Sequence, residues 1–528
     1  MNKRQNIVSL FLSLIMIFMI VSPISVLAQT KETKVIDIIT INDFHGKLTE
    51  DTSENGKDMG MSKIINAVKQ YKVANPNTIV LSGGDNYQGS AMSNLTYGAP
   101  VSEMYKEMGV TASVVGNHEF DWGIQWLKKW AKDGKFDFIG TNIVDKRTNQ
   151  IVDWAIPYKV IELDGVKIAI IGLTTPKTAY KTLPINVENY IFEPIKESAE
   201  KWVKYLRSGE APEGKIDSVI ALTHVGSFQD EESGEISGEV VESGLTEVEG
   251  IDAIISGDSH QIVAGVVNNI PIVQANKYGR ALGKLSLIFD DENNLVKVKP
   301  EVDVLSDRKS ELVSDNQGDA IYAKYYEELE PIINEVIGKA DKELSHERVT
   351  NGGVTEVGKW SIDIIREYAG TQIAVINEGA FRTSIPAGDI TFGRLYDVLP
   401  FDNTLVKMKL KGSQLKKVIE NGIMNKEIGW VQISGAKVYY DPEAEFGNRV
   451  TEIILEDGTK VEMDKFYSVA TSDFMLLGGD KYDFEGAKNI VSTKKIIRDL
   501  LAEYIRETKE VKIDFEQPFI KGKAPKVK

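Results

Sequence analysis

Between residues 35 and 290, short β-branched runs alternate with stretches of helical periodicity. The runs at 35–41, 78–81, 113–115, 218–222 and 253–255 each have the length of a buried strand. Strands alternating with helices predict an α/β architecture. Residues 164–173 read as the second strand of a hairpin that opens a second half of the domain. Residues 229–249 are acidic, rich in Ser and Gly and without an apolar period, which predicts a solvated surface loop. From 316 to 339, Ile321, Tyr325, Leu329, Ile332, Ile333, Val336 and Ile337 recur at three- and four-residue steps. That spacing predicts a helix joining two domains, with Pro331 kinking or dividing it. Residues 346–514 then form a second α/β region, with apolar runs at 373–376 and 405–408.

The N-terminus breaks this pattern. Lys3 and Arg4 precede an apolar stretch from Ile7 to Val21, interrupted only by Ser9 and Ser13, and Val26-Leu27-Ala28 has the small-residue ending of a cleavage site. The stretch falls short of the ~20 residues a membrane-spanning helix needs. Residues 1–28 therefore read as a signal peptide, and the expected mature protein is exported, secreted or held at the cell surface, with no membrane span. The expected division is 1–28 signal, 29–312 first domain, 313–342 helical connector and 343–528 second domain.

Composition narrows the chemistry. The chain carries 62 Lys and Arg against 78 Asp and Glu, a net charge of −16, and the signal contributes two of the basic residues. Such a surface repels a nucleic-acid polymer or an anionic membrane, so neither is an expected partner. A phosphate site here needs its own concentrated positive charge, which metal ions would supply. The sequence contains no cysteine, so thiolate ligands and nucleophiles are excluded. A bound metal would have to sit on His, Asp, Glu, Asn or Gln.

Four of the five histidines lie at or just beyond the ends of predicted strands: His45, His118, His224 and His260. Their contexts are Asn42-Asp43-Phe44-His45-Gly46, Gly116-Asn117-His118-Glu119, Leu222-Thr223-His224 and Gly257-Asp258-Ser259-His260. A further strand end supplies Gly83-Gly84-Asp85. Each alone reads as a turn residue or a buried histidine. Ligands bind at the C-terminal strand edge of open α/β sheets, so together these ends would converge Asp43, His45, Asp85, Asn117, His224, Asp258 and His260. That nitrogen and oxygen set suits two divalent ions.

These motifs resemble the metallophosphoesterase signature. The stretches Thr40-Ile41-Asn42-Asp43-Phe44-His45-Gly46, Gly84-Asp85-Asn86-Tyr87-Gln88-Gly89-Ser90 and Asn117-His118-Glu119-Phe120-Asp121 narrow the resemblance to the 5′-nucleotidase / 2′,3′-cyclic phosphodiesterase family. It covers nearly all of residues 35–514. It implies a four-layer α-β-β-α sandwich for the first domain and a smaller α/β substrate-binding domain. It further implies that Asp43, His45 and His260 bind one ion, Asn117 and His224 the other, and Asp85 bridges them. His118 would face the substrate phosphate, oriented by Asp121. The expected reaction is in-line attack on phosphorus by a metal-bridging hydroxide. Zinc, manganese, magnesium, cobalt and calcium all remain open as the ions. The family generally has histidine where this chain has Asp258, a carboxylate that can still bind an ion and shifts preference away from zinc.

The later segment from Asn377 to Thr391 is similar to the family's substrate domain, and implies a substrate site of Asn377, Gly379 and Arg382. Pro400-Phe401-Asp402 and Gly478-Gly479-Asp480-Lys481-Tyr482 resemble loops carrying stacking aromatics, so Phe401 and Tyr482 would sandwich a base. A second departure lies at Gly352 to Lys359, where a family arginine is missing at Gly353 and Lys359 replaces asparagine. The expected substrate is a nucleotide or other small phosphate ester. Cyclic nucleotides, dinucleotides and nucleotide-sugars stay open, as do a thiosulfate-ester hydrolase and, from another class, a surface-binding protein with a vestigial site.

Overall fold

The computed structural model describes residues 33–52, 56–347 and 352–524. The expected signal peptide lies outside them. In the first domain two six-stranded sheets pack face to face. One runs, in spatial order, Leu295–Asp303, Leu282–Phe289, Lys34–Ile41, Thr78–Ser82, Ala112–Val114 and Asp137–Ile139. The other runs Ile262–Val267, Ile270–Ala275, Ala253–Ile255, Ser218–His224, Val166–Thr174 and Tyr158–Leu163. Ile36, Ile38, Leu81 and Val114 of the first interlock with Ile168, Ile170, Ile220, Leu222 and Ile255 of the second. Burial on both faces is why these strands read as continuous apolar runs. Each such side chain contributes about 1.5–3 kcal/mol on burial.

Helices cover both outer faces. Met61–Ala74, Ala99–Met108 and Gln125–Gly134 pack on Ile39, Ile41 and Val80 of the first sheet. Ile195–Ser208 packs on Ala169, Ile171 and Ala221 of the second. The outcome is an α-β-β-α sandwich. Parallel pairing aligns the strand ends, with Ile41 opposite Ser82 and Ser82 opposite Ser113 in one sheet. In the other, Leu222 lies opposite Ile255. One edge of the sandwich thus collects the loops that follow these strands.

Two local expectations are corrected. Residues 229–249 are not a featureless loop: they hold a hairpin (Phe228–Gln229 with Ile236–Ser237) and the helical turns Glu239–Glu242 and Leu245–Glu247. Ile236, Val240, Leu245 and Val248 are buried there, too sparse and irregular to make a period. The linking helix, Asn316–Ile333, ends before Val336 and Ile337, which begin the strand Val336–Ala340. Pro331 is accommodated in its last turn. Ile321 and Leu329 dock the helix on the first domain.

The second domain is built on a five-stranded sheet, ordered Gln432–Ser434, Ile373–Ile376, Phe466–Ser472, Thr404–Lys411 and Lys488–Ile496. Helices Glu356–Ala369 and Ile497–Thr508 cover one face and Gly412–Asn421 the other. The domains touch through defined pairs: Lys47 Nζ to Asp397 Oδ1 at 2.8 Å, Asn94 Nδ2 to the Pro400 carbonyl at 2.7 Å, and Tyr180 Oη to Glu427 Oε1 at 2.8 Å.

Candidate metal centre and the facing cleft

Backbone conformation concentrates the candidate ligands. Asp43, His45, Asp85, Asp258 and His260 all have positive φ, between 50° and 69°. Asp and His visit this left-handed region more readily than bulkier residues, and the strain belongs to sites where a side chain must be re-aimed. Asp43 and His45 are locked to the neighbouring loop, their amides donating to the carbonyls of Gly84 (3.0 Å) and Asp85 (2.9 Å). Glycine is needed at Gly84, where φ is +86° and an added Cβ would meet the His224 ring at 2.9 Å.

Two groups of donor atoms form, Asp43–His45–His260 and Asp43–Asp85–His224, each with its atoms within 4.8 Å of one another. His260 Nε2 lies 3.4 Å from Asp43 Oδ1 and 3.2 Å from His45 Nε2. His224 Nε2 lies 3.2 Å from both Asp85 Oδ2 and Asn117 Oδ1, and 3.7 Å from Asp258 Oδ1. The tautomers follow from the second contacts. His45 Nδ1 faces the Gln88 carbonyl at 3.0 Å and His224 Nδ1 the Gly83 carbonyl at 2.7 Å. Carbonyls only accept, so each Nδ1 donates and each Nε2 is the ring nitrogen turned inward.

The residues fit divalent ions. Asp43 Oδ1 is fully buried without a hydrogen-bond donor, beside the inward nitrogens of His45 and His260. A buried carboxylate oxygen in that position calls for a cation. The two histidine environments differ. Burial holds His45 well below its usual pKa, helped by His260, Arg382 and His118, while Asp85 opposes it. Burial also pulls on His224, but Asp85, Asp43 and Asp258 outweigh it and hold its pKa well above the usual value.

His118 stands beside the cluster without joining either group. Its Nδ1 is 2.7 Å from Asp121 Oδ2 and its Nε2 is 3.9 Å from Asp85 Oδ2. Burial lowers its pKa, but Asp121 and Asp85 more than offset this and leave it raised. Asp121 is itself buttressed, its Oδ1 accepting from Thr182 Oγ1 at 2.8 Å.

Three residues had no assigned role in the sequence reading. Glu119, fully buried, accepts from the amides of Asp85 (2.9 Å), Asn86 (2.8 Å) and Gly116 (2.7 Å), tying together two loops that carry candidate ligands. Its place beside His118 in the motif was the available signal. Thr182 and Lys181 lie on a segment without a motif. Lys181 Nζ donates to both oxygens of Asp258, at 2.8 and 2.6 Å.

Across the cleft, Phe401 and Arg382 face this edge. The Phe401 ring lies 5.4 Å from that of His118, and the Arg382 guanidinium 5.8 Å from Phe401. Asn377, just after the Ile373–Ile376 strand, donates through Nδ2 to Asp480 Oδ2 at 2.8 Å, and its own Oδ1 is buried without a partner. Gly379 offers its carbonyl to Arg382 Nη1 at 3.4 Å. Burial pushes the Asp480 carboxyl up to about 6, against the Asn377 hydrogen bond and Lys181, which lower it. Tyr482 departs from expectation. It is 2% exposed and packs in the second domain's core with Ile419, Ile423 and Val431, so in this arrangement it presents no face to a base. At Gly353, φ is +119° and a Cβ would meet the Gln517 side chain at 2.4 Å, so the backbone there suits no arginine.

Sandwich, candidate ligands at the strand edge and facing domain are the architecture of a metallophosphoesterase domain joined to a nucleotidase-type second domain. Residues 36–262 match the calcineurin-like phosphoesterase family and residues 336–487 the 5′-nucleotidase C-terminal domain, and the chain belongs to the family that combines them. Among relatives, endonuclease YhcR of Bacillus subtilis is 28% identical over 93% of this chain, which spans 40% of the length of YhcR. Protein UshA of Yersinia enterocolitica is 28% identical, covering 93% of this chain and 94% of that protein. The crystal structure of a 5′-nucleotidase precursor from Thermus thermophilus superposes with a TM-score of 0.81 at 26% identity, over 93% of this chain and 100% of that one.

Proposed function

We propose that this chain is an exported two-metal phosphohydrolase acting on phosphate esters of nucleotides. The observation that carries the reading is the pair of donor groups sharing Asp43, with the His118–Asp121 pair alongside and Phe401 and Arg382 opposite. The Asp43–His45–His260 group would hold one ion and Asn117, His224 and Asp258 the other, with Asp85 between them. Ions bound there would supply an activated water and offset charge on the phosphoryl oxygens.

The chain's own residues supply the rest. Asp121 holds the His118 Nδ1 proton, so a protonated His118 presents its Nε2 proton toward the reacting ester and can deliver it to the leaving oxygen. Thr182 fixes the second Asp121 oxygen, so the ring is aimed as well as charged. Arg382 supplies a fixed positive charge for phosphate, and Phe401 a flat apolar face for a base. The apolar leader at 7–21 supports export, and no helix among the described residues is long and apolar enough to cross a membrane.

The test is phosphate release from nucleoside monophosphates, diphosphates, 2′,3′-cyclic nucleotides and nucleotide-sugars, with manganese, zinc, cobalt, magnesium or calcium. His118→Ala and chelator serve as controls. Metal-dependent release that falls about 10²–10⁴-fold in the variant supports the reading. A folded, metal-loaded protein that turns over none of these substrates would sink it and favour a binding protein.

A further inference from the structure

The two metal positions are not built alike, and Lys181 makes the difference. It ends the helical turn Thr178–Lys181, and the chain just beyond it is pinned to the catalytic side of the cleft. Thr182 bonds Asp121, and Asn186 Nδ2 donates to the carbonyls of Phe120 (2.9 Å) and Asp121 (3.1 Å). From that anchored segment Lys181 reaches Asp258 and engages both carboxylate oxygens, the two side chains being 22% and 12% exposed. Asp258 is held from behind as well, its amide donating to Asp43 Oδ2 at 3.0 Å. At the other position, Asp43, His45 and His260 make no ion pair with any lysine or arginine among the described residues.

We propose that Lys181 is an internal cation competing with the ion at the Asp85–Asn117–His224–Asp258 position, so that the Asp43–His45–His260 position fills first and the other binds weakly. The inference rests on the two-ion reading above. An ion ligated by Asp258 Oδ1 at the usual ~2.1 Å would lie within about 5 Å of an ammonium only 2.8 Å from that oxygen. Two cations so close in a buried site repel with little screening. The carboxylate can also serve only one of them fully. Asp258 thus behaves as a shared ligand, its negative charge largely offset by Lys181.

Manganese titration of the full mature chain, followed by calorimetry and by the manganese electron paramagnetic resonance spectrum, tests this. The wild type is expected to bind two ions with affinities at least tenfold apart, and to show an uncoupled single-ion spectrum at one equivalent. Lys181→Met should tighten the weaker site at least tenfold, leave the tighter one unchanged, and bring in the spin-coupled two-ion spectrum at lower manganese. Lys181→Arg keeps the cation and should resemble the wild type, which controls for folding. Two ions that bind alike in the wild type, or a weaker site that is unchanged or weakened in Lys181→Met, overturn the proposal for Lys181 alone. A wild type and Lys181→Met that both bind a single ion, or binding unaffected by Asp85→Asn, overturn the two-ion reading beneath it.

Discussion

The two sides of the cleft are held in place by different means. On the first domain, candidate ligands sit directly on strand ends, five in left-handed backbone conformations and cross-braced by loop-to-loop hydrogen bonds. Each such conformation costs about 1–2 kcal/mol, so the sandwich must enforce the geometry. On the second domain, Phe401 and Arg382 reach the same space only because the domains meet through Lys47–Asp397, Asn94–Pro400 and Tyr180–Glu427. On the proposed function, the difference would separate chemistry, fixed by local backbone, from substrate selection, fixed by how two bodies meet.

That separation can be broken at the strand edge first. Asp85→Asn removes the carboxylate facing both His224 and His118, and should lower kcat/KM by at least about 10³-fold with the fold retained by circular dichroism. Glu119→Ala leaves three buried amides without their acceptor, at about 1–3 kcal/mol each. It should lower the urea midpoint markedly and weaken manganese binding, since the Gly84–Asn86 and Gly116 loops come loose together.

The cleft side should respond more gently. Asp480 titrates near 6 in the folded protein against the ordinary 3.8. The folded state therefore keeps its proton over a range where the unfolded chain has lost it. This contribution is fully present below about pH 4 and lost as pH rises through 6, about 3 kcal/mol in all. Asp480→Asn should flatten that part of the urea-stability profile between pH 4 and 7, and an unchanged slope would remove Asp480 as its source. The smallest effect is expected at Phe401. Phe401→Ala should raise KM for nucleotides by the equivalent of about 1–3 kcal/mol, while turnover of p-nitrophenyl phosphate stays within about twofold. Equal losses on both substrates would tie Phe401 to the chemistry, through His118, and erase the separation.

Much of the first domain was legible because its signals are local. A β-branched run followed within four residues by Asp, His, Asn and Gly says both strand and strand end, and Asp43, His45, Asp85, Asn117 and His224 were readable in that way. Lys181 was not. It lies 77 positions from Asp258, in a stretch of no periodicity. Glu119 was visible as a motif letter, but two of its three amide partners, Asp85 and Asn86, lie in a loop that only the strand register brings beside it. The hairpin within 229–249 escaped because four scattered apolar residues make a core contact without making a pattern.

Tyr482 marks where sequence ends and tertiary structure begins. The sequence by itself determined the α/β alternation, the order of the strand-end candidate ligands and the absence of thiol chemistry, because these depend on residue type and short spacing. Only the tertiary structure decided that Tyr482 packs inward while Phe401 faces His118, and that Lys181 claims Asp258. Those outcomes depend on which distant surfaces meet and on how much apolar area each side chain buries there. Neither quantity is written in any local stretch of the chain.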